Sequence, residues 1–196
     1  KSHTMVKAAK SGEDLKDCEV IVITAGIPRK PGMSRDDLLL TNAKIMQAVL
    51  EDIKKYAPNS KIIIVSNPLD AMVYAALKIL KFPREHVIGM AGILDSARMS
   101  HFICEKLGYG AGQIESSVMG GHGDAMVPLV NYSTVAGVSL PELLSKEDIE
   151  DIVSKTKNGG LQIVKLLETG SAYYAPAHAT SLMVEAILYN NKKIYP

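Results

Sequence analysis

The chain has 196 residues, 47% of them hydrophobic and 22% charged, with a formal net charge of +1. That balance describes an ordinary globular protein and gives no support for binding nucleic acid or an anionic membrane surface. The apolar runs are too short to span a bilayer, and no apolar core follows the mildly basic Lys1–Lys7, so neither a membrane helix nor a signal peptide is expected.

In chain order, Glu19-Val20-Ile21-Val22-Ile23-Thr24 is a short β-branched run that reads as a buried strand. A helix is expected from Arg35 to Tyr56, with Ser34 and the following Asp36 and Asp37 marking its start and Leu38, Leu39, Ile45, Met46, Val49 and Ile53 forming its apolar face. Lys61-Ile62-Ile63-Ile64-Val65 is a second buried strand. A helix from Leu69 to Lys81 follows it, and then a third strand, Val87–Met90. Strand and helix in alternation specify a parallel sheet with right-handed crossovers.

The next helix runs from Leu94 to Leu107 and stops at Gly108. Beyond it the pattern changes. Ser116–Met119 and Val127–Val130 read as strands flanking a glycine-rich turn, followed by helical segments near 141–145, 146–167 and 176–191. Asn158-Gly159-Gly160 is expected to break the middle one. The chain therefore divides near Gly92, into a parallel α/β part (1–92) and a mixed α+β part (93–196). Cys18 and Cys104 are isolated and read as buried, reduced thiols.

Four segments carry chemistry. Ala25-Gly26-Ile27-Pro28-Arg29-Lys30-Pro31-Gly32-Met33-Ser34-Arg35 leaves the carboxyl end of the first strand, where ligands of open α/β sheets bind. Its cations suit a lid closing on an anion, or simply a solvated basic loop. Asn67, in Ser66-Asn67-Pro68-Leu69-Asp70, lies at the end of the second strand, where its amide can meet a ligand oxygen; Asn-Pro is also a common turn. In Leu94-Asp95-Ser96-Ala97-Arg98, the carboxylate and guanidinium are three apart on a helix and share a face. In Gly120-Gly121-His122-Gly123-Asp124 the imidazole sits among glycines, with no bulky neighbour to block it. Carboxylate, guanidinium and imidazole are the groups needed to move a proton on an anionic substrate. His3, His86, His101 and His178 read as structural or surface residues. No Walker loop, H-E-x-x-H or zinc-ligand spacing is present, so no metal is expected.

These four segments, in this order and spacing, closely resemble the lactate/malate dehydrogenase family, and most of all its malate-type members. The resemblance implies an NAD-dependent oxidoreductase moving hydride between malate and oxaloacetate. It implies that His122 exchanges a proton with the substrate oxygen and that Asp95 holds one ring nitrogen and stabilises the imidazolium. Arg98 is implied to grip the C1 carboxylate, Arg35 to polarise the reacting carbonyl, and Asn67 to bind substrate oxygen or the nicotinamide side. Ala25, Gly26, Asn42 and Asn67 are the implied cofactor contacts.

Arg29 is the discriminating position, because lactate-type members place a neutral residue there. An ion pair at 4 Å gains roughly 1 kcal/mol in water but about 4 kcal/mol at an effective dielectric of 20, so enclosure would make this cation selective for a dicarboxylate. The alternatives are a lactate or other 2-hydroxyacid dehydrogenase on the same scaffold and, in a different class, a non-catalytic fragment or interaction module. The family also implies a homodimer or homotetramer; the two isolated cysteines read as cytoplasmic, and the charge and short apolar runs point to no nucleic-acid or membrane partner.

Family members begin with a strand, a G-x-G-x-x-G turn and a helix that this sequence does not contain, and they continue beyond Ile194-Tyr195-Pro196. The resemblance thus covers a central portion of the family's length. The expected fold is a partial Rossmann-type parallel sheet without its first mononucleotide-binding half. A substrate domain lacking its C-terminal part would follow, as in an incomplete record of a longer enzyme.

Overall fold

The computed structural model describes residues 3–28 and 34–196; the side chain of Arg35 lies outside the description. Arg29 and the rest of the basic loop at 29–33 also lie outside the described residues. The chain forms two compact units, Lys1–Gly89 and Met90–Pro196.

In the first unit, β1 (Val20–Ile23), β2 (Lys61–Ile64) and β3 (Val87–Gly89) make a parallel sheet in the order β1-β2-β3. The crossovers are α1 (Arg35–Tyr56) and α2 (Leu69–Leu80), which pack against each other. Ile62, Ile63 and Ile64 are fully buried, as a central strand covered on both faces requires. The first strand departs from the sequence expectation. Ile21 and Ile23 are buried while Val22 is 38% exposed, because among the described residues β1 pairs only with β2 and stands at the sheet's edge.

Helix α1 starts where its sequence says it should. The Ser34 hydroxyl accepts from the Asp37 amide at 3.0 Å, and the Asp37 carboxylate accepts from the Ser34 amide at 3.1 Å, a reciprocal capping box. The fully buried stripe of α1 is Met46, Leu50 and Ile53, joined one turn earlier by Asn42. The stripe is therefore slightly rotated from the face that apolar residues alone indicate. Lys81 closes α2 in the left-handed conformation.

In the second unit, α3 (Gly92–Leu107) packs against α5 (Lys146–Leu167). Two small antiparallel sheets complete the unit. One contains β4 (Ile114–Glu115), β7 (Thr134–Val135) and β8 (Val138–Ser139); the other is a hairpin of β5 (Val118–Gly120) and β6 (Met126–Pro128). The short α4 (Leu140–Leu143) precedes α5, and α6 (Tyr174–Leu188) follows it. Met99, Ile103, Ile114, Val118, Met126, Val135, Leu140 and Ile152 form one core cluster. Three expectations need correction. Helix α5 runs unbroken through Asn158-Gly159-Gly160, because Gly159 is buried where the helix packs on α3. Leu129 and Val130 leave the strand for a single 3-10 turn. Cys18 and Cys104 are free but only half-buried.

The capping box makes a pH prediction. Hydrogen bonds from the Ser34 hydroxyl and then the Ser34 amide hold the Asp37 carboxyl below its ordinary value. A carboxyl lowered in the folded state stabilises it above the unfolded value, and the contribution is lost as pH falls through the folded value. Amide protection in the first turn of α1 is therefore expected to fall as pH drops below about 4, and Asp37→Asn should remove that dependence. Equal pH dependence in parent and variant would contradict the box.

Candidate functional site

In the second unit, α3 begins at the Ala91–Gly92 turn, where the amides of Leu94 and Asp95 both bond the Ala91 carbonyl. This places Asp95 in the helix's first turn with 1% of its surface exposed, near the positive end of the helix dipole. One turn on, Arg98 donates from Nη1 to Asp95 Oδ1 at 3.1 Å. From the hairpin, His122 Nδ1 lies 2.8 Å from Asp95 Oδ2. A carboxylate acceptor requires the proton to sit on Nδ1, so any proton exchange by the ring runs through Nε2. The single carboxylate of Asp95 thus holds an imidazole on one oxygen and a guanidinium on the other. The three residues singled out from sequence are brought together.

The glycines around His122 have a backbone role that the sequence reading did not assign. Gly120 has φ +84°, and a Cβ there would lie 2.4 Å from the Ala125 carbonyl oxygen, so the tip of the hairpin closes only on glycine. Two bonds, Gly121 amide to Ala125 carbonyl and Met126 amide to Gly123 carbonyl, hold the tip.

Two serines that sequence reasoning missed lock the hairpin to α3. Ser96 Oγ accepts from the Val118 amide at 2.9 Å, and Ser116 Oγ donates to the Ser96 carbonyl at 2.8 Å. The hydroxyls of Ser100 and Ser116 are 2.9 Å apart. The signal was available: Ser96 adjoins Asp95 on the buried side of a helix, where a hydroxyl needs a partner.

The first unit gathers its polar groups at the carboxyl ends of β1 and β2. Asn42 is 1% exposed. Its Oδ1 accepts from the Ile27 amide at 2.8 Å, and its Nδ2 donates to the carbonyls of Asn67 at 2.7 Å and Ile27 at 3.2 Å. The side chain therefore ties the loop after β1 to the loop after β2. Both amide hydrogens are spent, leaving only a lone pair of Oδ1 for a cofactor contact. Gly26 packs on it: a Cβ at Gly26 would meet the Asn42 amide at 3.2 Å. Ser66 Oγ donates to the Ala25 carbonyl at 2.6 Å, and Asn67 is exposed. These two strand ends, one with a glycine and one with an exposed amide, suit the close approach of a nicotinamide-type ligand.

Among the described residues, no group of three or more His, Cys, Asp or Glu side chains could hold a metal ion, and no helix is long and apolar enough to cross a membrane.

Residues 1–89 match the family model for the lactate/malate dehydrogenase NAD binding domain, and residues 93–196 match that for the lactate/malate dehydrogenase alpha/beta C-terminal domain. A curated malate dehydrogenase from Aliarcobacter butzleri is 64% identical over 194 residues, which is 99% of this chain and 62% of that protein. Among solved structures, apo malate dehydrogenase from Picrophilus torridus superposes with a TM-score of 0.91 at 48% identity, covering 94% of this chain and 57% of that one. Lactate dehydrogenase from Cryptosporidium parvum, solved with lactic acid and NAD, gives 0.94 at 40% identity, covering 100% and 63%. The chain thus spans about three fifths of the length of these relatives.

If Ser96 anchors the hairpin, Ser96→Ala strands the buried Val118 amide without a partner and should cost ~1–3 kcal/mol in denaturant unfolding. An unchanged unfolding midpoint would contradict the anchor.

Proposed function

The chain belongs to the lactate/malate dehydrogenase family, and from that premise we propose that the protein interconverts malate and oxaloacetate with NAD as cofactor. The observation that carries this reading is the Asp95 carboxylate, joined by one oxygen to His122 and by the other to Arg98. A 2-oxoacid needs a proton at its carbonyl oxygen and a counter-charge at its carboxylate, and Asp95 holds one group for each task.

In reduction, His122 gives the Nε2 proton to the carbonyl oxygen, and Asp95 stabilises the imidazolium beforehand and keeps Nδ1 protonated throughout. In oxidation the same nitrogen takes the hydroxyl proton. Arg98 meets the C1 carboxylate with a planar fork suited to two parallel hydrogen bonds. Arg35 polarises the carbonyl, and Asn67 binds substrate oxygen or the nicotinamide side. When bound, the cofactor would supply hydride as NADH or accept it as NAD+. Ala25, Gly26 and Asn67 are its proposed contacts, with Asn42 acting mainly by shaping the two loops that carry them. Residues 1–92 are assigned to the dinucleotide-binding domain and 93–196 to the substrate domain.

Arg29 decides between dicarboxylate and monocarboxylate. A lactate dehydrogenase structure superposes as well as a malate dehydrogenase one, which supports placing the preference on this side chain rather than on the scaffold. A cation enclosed with pyruvate would be left unpaired, whereas oxaloacetate supplies a second carboxylate. A cytoplasmic homodimer or homotetramer is the assembly proposed by family analogy.

Two measurements test this reading, both by following NADH oxidation in the protein that carries this chain. His122→Asn should lower turnover of oxaloacetate roughly 10²–10⁴-fold; full activity would remove His122 from the chemistry. Arg29→Gln should move the oxaloacetate-to-pyruvate preference towards pyruvate by about tenfold or more. An unmoved preference would refute the role of Arg29. A parent protein that neither oxidises NADH nor binds it would favour the non-catalytic interaction module instead.

A further inference from the structure

Two consecutive glycines inside a 22-residue helix need a reason, because glycine is the least favoured residue of a helix interior after proline. Helix α5 does not break at Gly159-Gly160, so helix termination is not that reason. The neighbour that both glycines share is Arg98. A Cβ on Gly159 would lie 3.3 Å from Arg98 Cδ and 3.7 Å from Nε. On Gly160 it would lie 3.4 Å from Nη2 and 3.6 Å from Nη1. The bare backbone of α5 is thus the surface on which the arginine side chain rests from its Cδ to its tip.

The guanidinium itself shows the consequence. One of the two hydrogens on Nη1 goes to Asp95, and among the described residues Nε is buried without a hydrogen-bond partner. A guanidinium can grip a carboxylate along its Nε–Nη2 edge or along its Nη1–Nη2 edge. Burial of Nε removes the first choice. We propose that Gly159 and Gly160 are positioning residues that seat Arg98 so that only its Nη1–Nη2 edge is presented to the carboxylate of a 2-oxoacid. The inference rests on the reading of Arg98 as the C1-carboxylate ligand. It adds that the backbone of α5 sets the plane of this grip. A Cβ on Gly159 requires the Arg98 stem to give by a few tenths of an ångström and so shifts the fork it carries, whereas one on Gly160 stands in van der Waals contact with Nη1 and Nη2; the His122–Asp95 pair stays in place.

The test is Gly159→Ala and Gly160→Ala in the protein that carries this chain, with Gly112→Ala as control, since a Cβ there meets nothing within 4 Å. The KM for oxaloacetate should rise ~3–10-fold in Gly159→Ala and less in Gly160→Ala, while kcat stays within about twofold, as expected when ground-state positioning is lost but the proton-transfer pair is intact. The KM for NADH and the thermal midpoint should not worsen, because alanine is the better helix former. A second readout needs no turnover: phenylglyoxal modification of Arg98, followed by peptide mass, should be faster in both variants than in parent or control. Unchanged oxaloacetate KM and unchanged labelling would overturn the proposal. So would a joint fall in kcat and thermal midpoint without a KM change, which marks a damaged helix. If the parent turns over no 2-oxoacid, the reading of the preceding subsection falls, and the labelling alone decides whether the glycines seat Arg98.

Discussion

A carboxylate with 1% of its surface exposed cannot stand alone, since an unpaired buried charge costs several kcal/mol even after relaxation. Asp95 is matched on both oxygens, by His122 on one side and Arg98 on the other. Much of the second unit can be understood as meeting that requirement. Helix α3 supplies Asp95 and Arg98 on one face and directs the positive end of its dipole towards the carboxylate. The β5–β6 hairpin brings His122 back to α3, and Ser96 and Ser116 fix the distance between them. Helix α5 closes over the aliphatic part of Arg98. One buried charge thereby holds both an imidazole and a guanidinium.

The first unit follows the same principle with a neutral group. Asn42 is buried in the apolar stripe of α1 and bonds three backbone groups in two loops. Because every bond reaches a strand-end loop, the helix that connects β1 to β2 also sets the shape of the sheet's carboxyl edge. Gly26 must be small to lie against that amide. The result is a carboxyl edge of the sheet whose geometry is determined from behind, within the same unit.

Much of this was legible in the sequence because it depends on local rules. The βαβαβ order, the cap at Ser34 and the stop at Gly108 each follow from residues within one turn of the feature. The Asp95/Arg98 pair is legible for the same reason, since a spacing of three fixes a shared face. The misreadings concern interactions between distant segments. Gly159-Gly160 looks like a helix break until Arg98 is placed beside it, more than fifty residues away in sequence. Val22 alternates out of the core because β1 has one sheet neighbour among the described residues, a matter of topology rather than composition. Strands β7 and β8 are two residues each, too short for any periodicity to register. Ser96 and Ser116 carry no distinctive motif, and their role emerges only when hairpin and helix meet. In sequence the glycines around His122 suggest only access to the ring, whereas Gly120 is required by a backbone conformation and a close carbonyl.

The most direct test of Asp95 as the common organiser is steady-state kinetics of Asp95→Asn with oxaloacetate and NADH. Asparagine keeps the shape but carries no charge to balance the guanidinium or the imidazolium. If one carboxylate serves both groups, kcat falls by at least ~100-fold and the KM for oxaloacetate rises in the same variant, with the KM for NADH little changed. A variant that loses turnover but keeps the parent KM, or keeps turnover and loses only affinity, would contradict a shared carboxylate.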